Sequence, residues 1–248
     1  MRAVILAAGR GRRLGSPHGA PQQPKCLLEF EGKSLLSRHL NLLDSVHISD
    51  VTIVTGYCAQ SISRAIDGQP FSGSIQQIDN PDFEKGSVLS LWTARNALTS
   101  GDDVLVMDAD VLYDKRMLQR LLKSPHKNCF LMDRGFEPGE EPVKVCASAG
   151  NVIEFSKLPS PEVDCDTIGE SVGFIKLSGS CAQRIAQQCT QFVNDGRINE
   201  PHEEVIREVV CNGDQVFGCE DITDLPWIEI DFPDDIERAQ QQILPRLQ

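Results

Sequence analysis

No stretch of the 248-residue chain approaches the roughly 18 to 20 consecutive apolar residues that a membrane-spanning helix requires. The apolar opening Ala3 to Ala8 is also too short for the core of a signal peptide, so the sequence predicts a cytoplasmic protein with no membrane partner. CxxC spacing is missing as well. The nine cysteines (Cys26, Cys58, Cys129, Cys146, Cys165, Cys181, Cys189, Cys211 and Cys219) are an odd number in a long chain, and they read as reduced thiols, many of them buried, rather than as a disulfide framework. Basic residues are outnumbered, 24 Lys and Arg against 36 Asp and Glu, and the net charge of −12 argues against nucleic acid or an anionic membrane as partner. Internal repeats and Pro/Gly/Ser-rich linkers are lacking too, which predicts a single domain over 1–248. With 40% hydrophobic and 24% charged residues, that domain is globular and buries a large core.

The acidic excess is unevenly placed. Residues 1–25 hold Arg2, Arg10, Arg12, Arg13 and Lys25 with no Asp or Glu, a local charge of +5 in a chain whose remainder is −17. An exposed basic N-terminus of no consequence has the same sum, but here the charges alternate with glycines, which a solvated face does not need. This pattern predicts a local anion site in an acidic protein.

Hydrophobic patterning gives the architecture. Arg2 to Ala8 is an apolar run stopped by glycine, as in a buried parallel strand. Ser34 to Ser45 has helical spacing with Ser34 as N-cap. Strands follow at Asp50 to Thr55 and Ser74 to Ile78, a helix at Ser87 to Leu98, a strand at Asp103 to Met107 and a helix at Lys115 to Lys123. This alternation predicts an α/β fold, a three-layer sandwich around a mostly parallel mixed sheet with helices on both faces. Beyond residue 129 the pattern turns to extended pieces at Cys129 to Asp133, Val143 to Ser148, Val152 to Ser156 and Ser171 to Leu177, with a hairpin turn at Ala149-Gly150-Asn151. Helices near 180–194 and 202–210, a strand at Trp227 to Ile230, and a helix from Pro233 to Gln242 capped by Asp231 complete the chain.

Ligands of open α/β sheets sit at the carboxyl ends of the strands. The first strand ends in Ala7-Ala8-Gly9-Arg10-Gly11-Arg12-Arg13-Leu14-Gly15, with Pro24-Lys25 further on. Glycines let backbone N–H groups approach a polyphosphate, and Arg and Lys neutralise it. No Gly-Lys-Ser/Thr follows, and Leu14 breaks GxGxxG, so neither a Walker loop nor a dehydrogenase fits. The Asp103 strand ends in Asp108-Ala109-Asp110, carboxylates suited to a hard cation such as Mg2+. Trp227-Ile228-Glu229-Ile230-Asp231 repeats the arrangement near the C-terminus, where helix capping is the competing role for Asp231.

The segments RAVILAAGRGRRLG, PKCLLEF, MDADVLYD and WIEID together resemble the sugar-phosphate-type nucleotidyltransferases over nearly the whole chain. Within them, the block Asn80 to Trp92 (NPDFEKGSVLSLW) is similar to the phosphocholine cytidylyltransferase group, which includes aminoethylphosphonate enzymes. The resemblance implies a nucleotide-diphospho-sugar-transferase-like fold, with a nucleotide-binding half over about 1–125 and an acceptor-binding half over about 126–248. It implies that Ala7, Ala8, Gly9, Arg10, Gly11 and Arg13 grip the nucleotide, with Asn80, Gly86, Ser87 and Asp108 alongside. Lys25, Arg13 and Asp110 become the catalytic set, and Asp110 and Asp231 the Mg2+ ligands, with Asp108 and Glu229 beside them. For the acceptor, Trp92 offers an aromatic face, Lys144 a cation, and Glu170 and Glu229 carboxylates, with Asp82 and Glu84 as further counter-charges. Phe83 and Trp92 are the aromatics here, where the choline branch carries several.

The implied reaction joins CMP from CTP to a small phosphomonoester or phosphonate, releasing pyrophosphate. A phosphomonoester has a second pKa of about 6, so it is already a dianionic nucleophile near neutrality and needs no general base. The obstacle is repulsion between two anions, roughly 4 kcal/mol for unit charges about 4 Å apart at an effective dielectric of about 20, which Arg13, Lys25 and Mg2+ offset. A sugar-1-phosphate nucleotidylyltransferase, a metal-dependent glycosyltransferase using Asp108-Ala109-Asp110, and a non-catalytic nucleotide-binding module are the competing readings. The sequence leaves the acceptor, the base and a homodimer open.

Overall fold

In a computed structural model, residues 1–15, 23–137 and 139–248 are described. Strand β1 (Arg2–Ala7) lies at the centre of a nine-stranded mixed sheet. A small hairpin, β2 (Glu29–Phe30) and β3 (Lys33–Ser34), leads into α1 (Leu35–Ser45), and β4 (Asp50–Thr55), α2 (Ala59–Asp67) and β5 (Ser74–Asp79) follow. Next come α3 (Val88–Thr93), α4 (Arg95–Leu98), β6 (Val104–Asp108), β7 (Val111–Tyr113), α5 (Lys115–Lys123) and β8 (Cys129–Asp133). The second half contains β9 (Lys144–Ser148), β10 (Asn151–Ser156), β11 (Thr167–Leu177), α6 (Gly179–Asn194), α7 (His202–Cys211), β12 (Gly218–Asp221), β13 (Trp227–Glu229) and α8 (Pro233–Arg238).

The sheet runs β10-β9-β11-β6-β1-β4-β5, with β8 beside β11 and β12 beside β8. Pairings β6–β1–β4–β5 are parallel, whereas β11 runs antiparallel to β6, β8 and β9. Side chains alternate across β1, so Ala3, Ile5 and Ala7 pack with α1 and α5 on one face, and Val4 packs with α3, α6 and α7 on the other. In α1, Leu36, Leu40 and Leu43 recur at helical spacing and are fully or almost fully buried, while the Ser34 hydroxyl accepts the Ser37 N–H at 3.1 Å. All nine cysteines are free thiols, and five of them are buried.

The sequence reading omitted α2. Its segment AQSISRAID fully buries only Ile62, too little to stand out as a periodic stripe, yet β4 and β5 are parallel and require a crossover between them. The helix read over Ser87 to Leu98 is broken at Ala94 into α3 and α4. The N-cap of α8 is Phe232 rather than Asp231, and Asp235, the third helical residue, accepts the backbone N–H groups of Asp231 and Phe232 at 3.0 and 2.7 Å through Oδ2. The Asp231 carboxylate lines the cleft described below.

A separate antiparallel ribbon of β7 and β13 sets Glu229 opposite Val111, and the Ile230 N–H donates to the Asp110 carbonyl at 3.0 Å. The ribbon therefore locks the Asp110 turn against the Glu229–Asp231 segment. The loop before α3 is tied to the chain before α7: the Gly86 N–H donates to the Ile198 carbonyl at 3.0 Å and the Val88 N–H to that of Glu200 at 3.2 Å. A Cβ on Gly86 would lie 2.1 Å from the Glu200 carbonyl oxygen. The glycine thus serves close chain approach, and it is its neighbour Ser87 that lines the cleft described below. Gly86→Ala should part these segments and cost about 1–3 kcal/mol in urea unfolding; unchanged stability would show that the contact yields freely.

Candidate active site

Strands β1 and β6 are parallel neighbours in register, Leu6 opposite Asp108, so the loops after both emerge at the same edge of the sheet. After β1 the chain passes Ala8 and Gly9 to Gly11, which has φ +62° and backs onto Lys25; a Cβ there would stand 2.9 Å from Lys25 Cγ. Pro24 introduces a single helical turn, Lys25–Leu27, that holds Lys25 beneath the loop. Its Nζ donates to Asp110 Oδ2 at 2.8 Å and to Asp231 Oδ1 at 2.6 Å. Arg13 bonds Glu141 at 2.9 Å, lies 3.4 Å from Asp231 Oδ2, and covers the Phe232 ring. Residues distant in sequence thus meet at the β7–β13 ribbon.

Carboxylate oxygens of Asp110, Glu229 and Asp231 all lie within 4.8 Å of one another. Burial alone would depress the Lys25 ammonium, but Asp110 and Asp231 more than offset this and raise it above its usual range. It remains a cation. Asp108 is pushed well above the ordinary carboxylate range by burial, by Asp110 and by Glu203, and Glu229 by burial, Asp110 and Asp231. The cluster holds more negative charge than Lys25 neutralises. Cys26 lies on the same floor, where burial and Asp110 push its thiol up to about 12, so it is no nucleophile near neutral pH.

The cleft has connected lobes. One, of 210 Å3, is lined by Ala7, Ala8, Gly9, Lys25, Ser87, Asp108, Asp110 and Glu229, all singled out from sequence, together with His202 and Glu203. A second, of 160 Å3, adds Arg13, Glu170, Asp231, Glu141 and Lys157. A third, of 420 Å3, shares Glu170, Glu229 and Asp231 and is walled by Phe136, Trp227 and Phe232.

Several expected residues stand elsewhere. Arg10 pairs with Glu84 at 3.1 Å and lies over Tyr57. Asn80 is buried, donating to Ser90 Oγ at 3.0 Å and accepting from the Asp82 N–H. Trp92 packs against the core with the Arg95 guanidinium 4.0 Å from its ring centroid, so its face is taken. Lys144 Nζ is spent on the carbonyls of Gly139, Pro142 and Lys157. Asp82 pairs with Lys85, and Glu84 with Arg10 and Arg12, which removes both as counter-charges for an acceptor. Conversely, the sequence reading assigned Glu229 to the acceptor, whereas its carboxylate joins Asp110 and Asp231. His202 and Glu203 were missed: they open an ordinary amphipathic helix, and nothing in PHEEVI marks them as cleft residues.

A nucleotide-sized cleft at the strand ends of a mixed sheet, with glycine loop, lysine and clustered carboxylates, defines the nucleotide-binding α/β class. The profile of the MobA-like NTP transferase domain matches residues 3–158, well over half of the chain, and the chain belongs to that family. The CMP-5'-(3-aminopropyl)phosphonate synthase of Streptomyces rubellomurinus is 26% identical, the match covering 99% of this chain and 39% of that one. A bifunctional IPC transferase and DIPP synthase of Archaeoglobus fulgidus is 28% identical over 98% of this chain and 44% of its own. The chain thus spans less than half the length of these relatives. The inositol-1-phosphate CTP transferase from T. maritima superposes with a TM-score of 0.75 at 16% identity, covering 100% of this chain and 97% of that one, so the fold is shared.

Glu170 sits on β11 opposite both Asp133 and Lys144, and burial and Asp133 raise its carboxyl from 4.5 to about 7. A carboxyl that holds its proton more tightly folded than unfolded stabilises the protein fully below about 4.5, and that contribution is lost as the pH rises to about 7. Glu170→Gln should therefore gain melting temperature relative to wild type between pH 5 and pH 7.5 and gain no more above it. A pH-independent offset in parallel thermal melts would remove Glu170 from the acid response.

Proposed function

We propose that the chain transfers a cytidylyl group from CTP to a small phosphomonoester or phosphonate and releases pyrophosphate. The convergence of Lys25 and Arg13 with Asp110, Glu229 and Asp231 in one cleft carries the reading: cations for a polyphosphate face carboxylates for a divalent ion. Cytidine and a phosphonate acceptor are supported by the Streptomyces relative, a CMP-5'-(3-aminopropyl)phosphonate synthase.

Lys25 meets the charge of the triphosphate and of the departing pyrophosphate; Arg13, expected from sequence on the nucleotide as well, lines the second lobe beside Glu141 and Asp231, where it also faces an incoming anion. Gly9 and Gly11 leave the loop amides open to phosphate oxygens. The acceptor is already a strong anionic nucleophile, so catalysis rests on positioning and on offsetting charge. The three carboxylates present oxygen donors only, the ligand set that Mg2+ favours, and Lys25 Nζ already stands between two of them as a cation. Asp110, Asp231 and Glu229 would hold Mg2+, which when bound supplies positive charge at the reacting phosphate.

Four nucleoside triphosphates should be crossed with phosphocholine, 2-aminoethylphosphonate, 3-aminopropylphosphonate and a sugar 1-phosphate, with pyrophosphate as readout and Mg2+ present. CTP with a phosphonate or phosphomonoester should give the highest rate; a sugar nucleotide consumed without pyrophosphate would indicate a glycosyltransferase instead. Lys25→Ala and Asp110→Ala should each lower turnover by about 100-fold or more while circular dichroism stays native. A folded Asp110→Ala enzyme with near-normal turnover would sink this assignment.

A further inference from the structure

The cleft's first two lobes meet at a seam. Lys25 lines the first lobe and Arg13 the second, so a nucleotide phosphate on the Lys25 side and an anionic acceptor on the Arg13 side approach each other across it. Four residues line both lobes: Asp108, Glu203, Glu229 and His202. Three are acidic side chains, of which Asp108 and Glu229 hold their protons more tightly than usual. His202 is the one side chain of the four that bears an N–H donor.

The contacts of Ser87 and Asp108 bear on where that donor points. Ser87 Oγ accepts the His202 backbone N–H at 2.8 Å and lies 3.1 Å from His202 Nδ1. The backbone contact uses an oxygen lone pair, and the single hydroxyl proton then has Nδ1 as acceptor within reach. Glu203 Oε2, although 3.0 Å from Nδ1, makes no hydrogen bond with it. Either atom of the Ser87–His202 pair can be the donor; where Ser87 donates to Nδ1, the ring proton resides on Nε2. Asp108 Oδ1 lies 3.9 Å from Nε2, beyond hydrogen-bond reach, which leaves Nε2 open toward the seam. His202 is buried and is the first residue of α7, whose backbone is tied to the loop at Gly86 to Val88, so the ring is held in place.

We propose that Ser87 donates to His202 Nδ1, and that the Nε2–H this leaves donates to a phosphoryl or phosphonyl oxygen of the acceptor and sets it at the seam. The inference rests on the transfer reading above, which named no acceptor contact on α7. The second lobe also carries Arg13, paired with Glu141 and Asp231, and Lys157, paired with Glu141. Among the described residues His202 Nε2 has no partner within hydrogen-bond distance, Asp108 Oδ1 standing 3.9 Å away, so it is open to an anion beside these cations.

Two variants separate this role from a merely structural latch. His202→Asn places an amide near Nδ1, able to keep the Ser87 contact, but has no donor at the Nε2 position; His202→Gln does the reverse. Binding of 3-aminopropylphosphonate in the presence of Mg2+, followed by 31P NMR, should weaken about tenfold or more in the Asn variant and stay within about threefold of wild type in the Gln variant. With CTP added, the Asn variant should raise KM for the phosphonate and leave KM for CTP unchanged. The opposite order, with Gln impaired and Asn normal, overturns the proposal, as does a wild-type protein that binds no phosphonate. Phosphonate binding that depends on His202 without pyrophosphate release from any nucleotide would uphold the donor and reject the transfer reading.

Discussion

The pairing of one buried ammonium with two carboxylates, Lys25 with Asp110 and Asp231, is the constraint on which the rest of the site depends. Each group belongs to a different part of the chain: the turn after Pro24, the turn after β6 and the end of β13. Bringing Asp110, Glu229 and Asp231 together without a cation would set like charges within 4.8 Å of one another, several kcal/mol of repulsion at an effective dielectric of about 20. Lys25 removes part of that penalty. Because it does so from beneath the glycine loop, the element that compensates the carboxylates also delivers the cation nearest the proposed phosphate site.

The mainchain is shaped to make this meeting possible. Gly173 on β11 has φ +77°, and a Cβ there would stand 2.2 Å from Asp108 Oδ2; the irregularity between Ser171 and Ile175 thus opens room for the Asp108 side chain beside β11. Asp235 accepts the N–H groups of Asp231 and Phe232 and so pins the backbone that carries the Asp231 carboxylate. In both places the local backbone is arranged around an acidic side chain of the cleft. Both arrangements operate within a few ångströms of the cluster.

The parts of the molecule legible in the sequence are those whose signal is local. Arg2 to Ala7 could only be a buried strand, Ser34 carries its own cap signature, and Asp110 follows an apolar run that ends at the sheet's ligand-binding edge. Where the deciding contact comes from elsewhere, sequence reasoning went astray. Trp92 reads from sequence as core or as an aromatic face, and only the packing, with Arg95 stacked on the ring, decides for core; Lys144 reads as a cation on an extended segment until three carbonyls claim it. Asp231 beside a helix start looks like a cap, whereas the N-cap is Phe232 and Asp235 lies one turn further on. His202 carries no signal at all, since its place at the seam follows from the packing of α7 against the loop before α3. The helix α2 escaped for a related reason: its burial is shallow, and only the parallel register of β4 and β5 demands it.

This non-local character bears on how the two halves of the chain share the work. The sequence divides naturally near residue 125, where regular alternation stops, and a nucleotide half and an acceptor half suggest themselves. The hydrogen bonding ignores that boundary: β11 from the second half pairs with β6 from the first, and α6 and α7 pack on the same core face as α3. The seam is likewise mixed, Asp108 coming from one half and His202, Glu203 and Glu229 from the other. An active site built on two independently moving lobes must re-establish its geometry at each closure, with the cost of ordering that implies. Here the donor is carried by a helix covering the main sheet and the clustered carboxylates by the β7–β13 ribbon beside it, so their spacing is set by how ribbon, sheet and helices pack together.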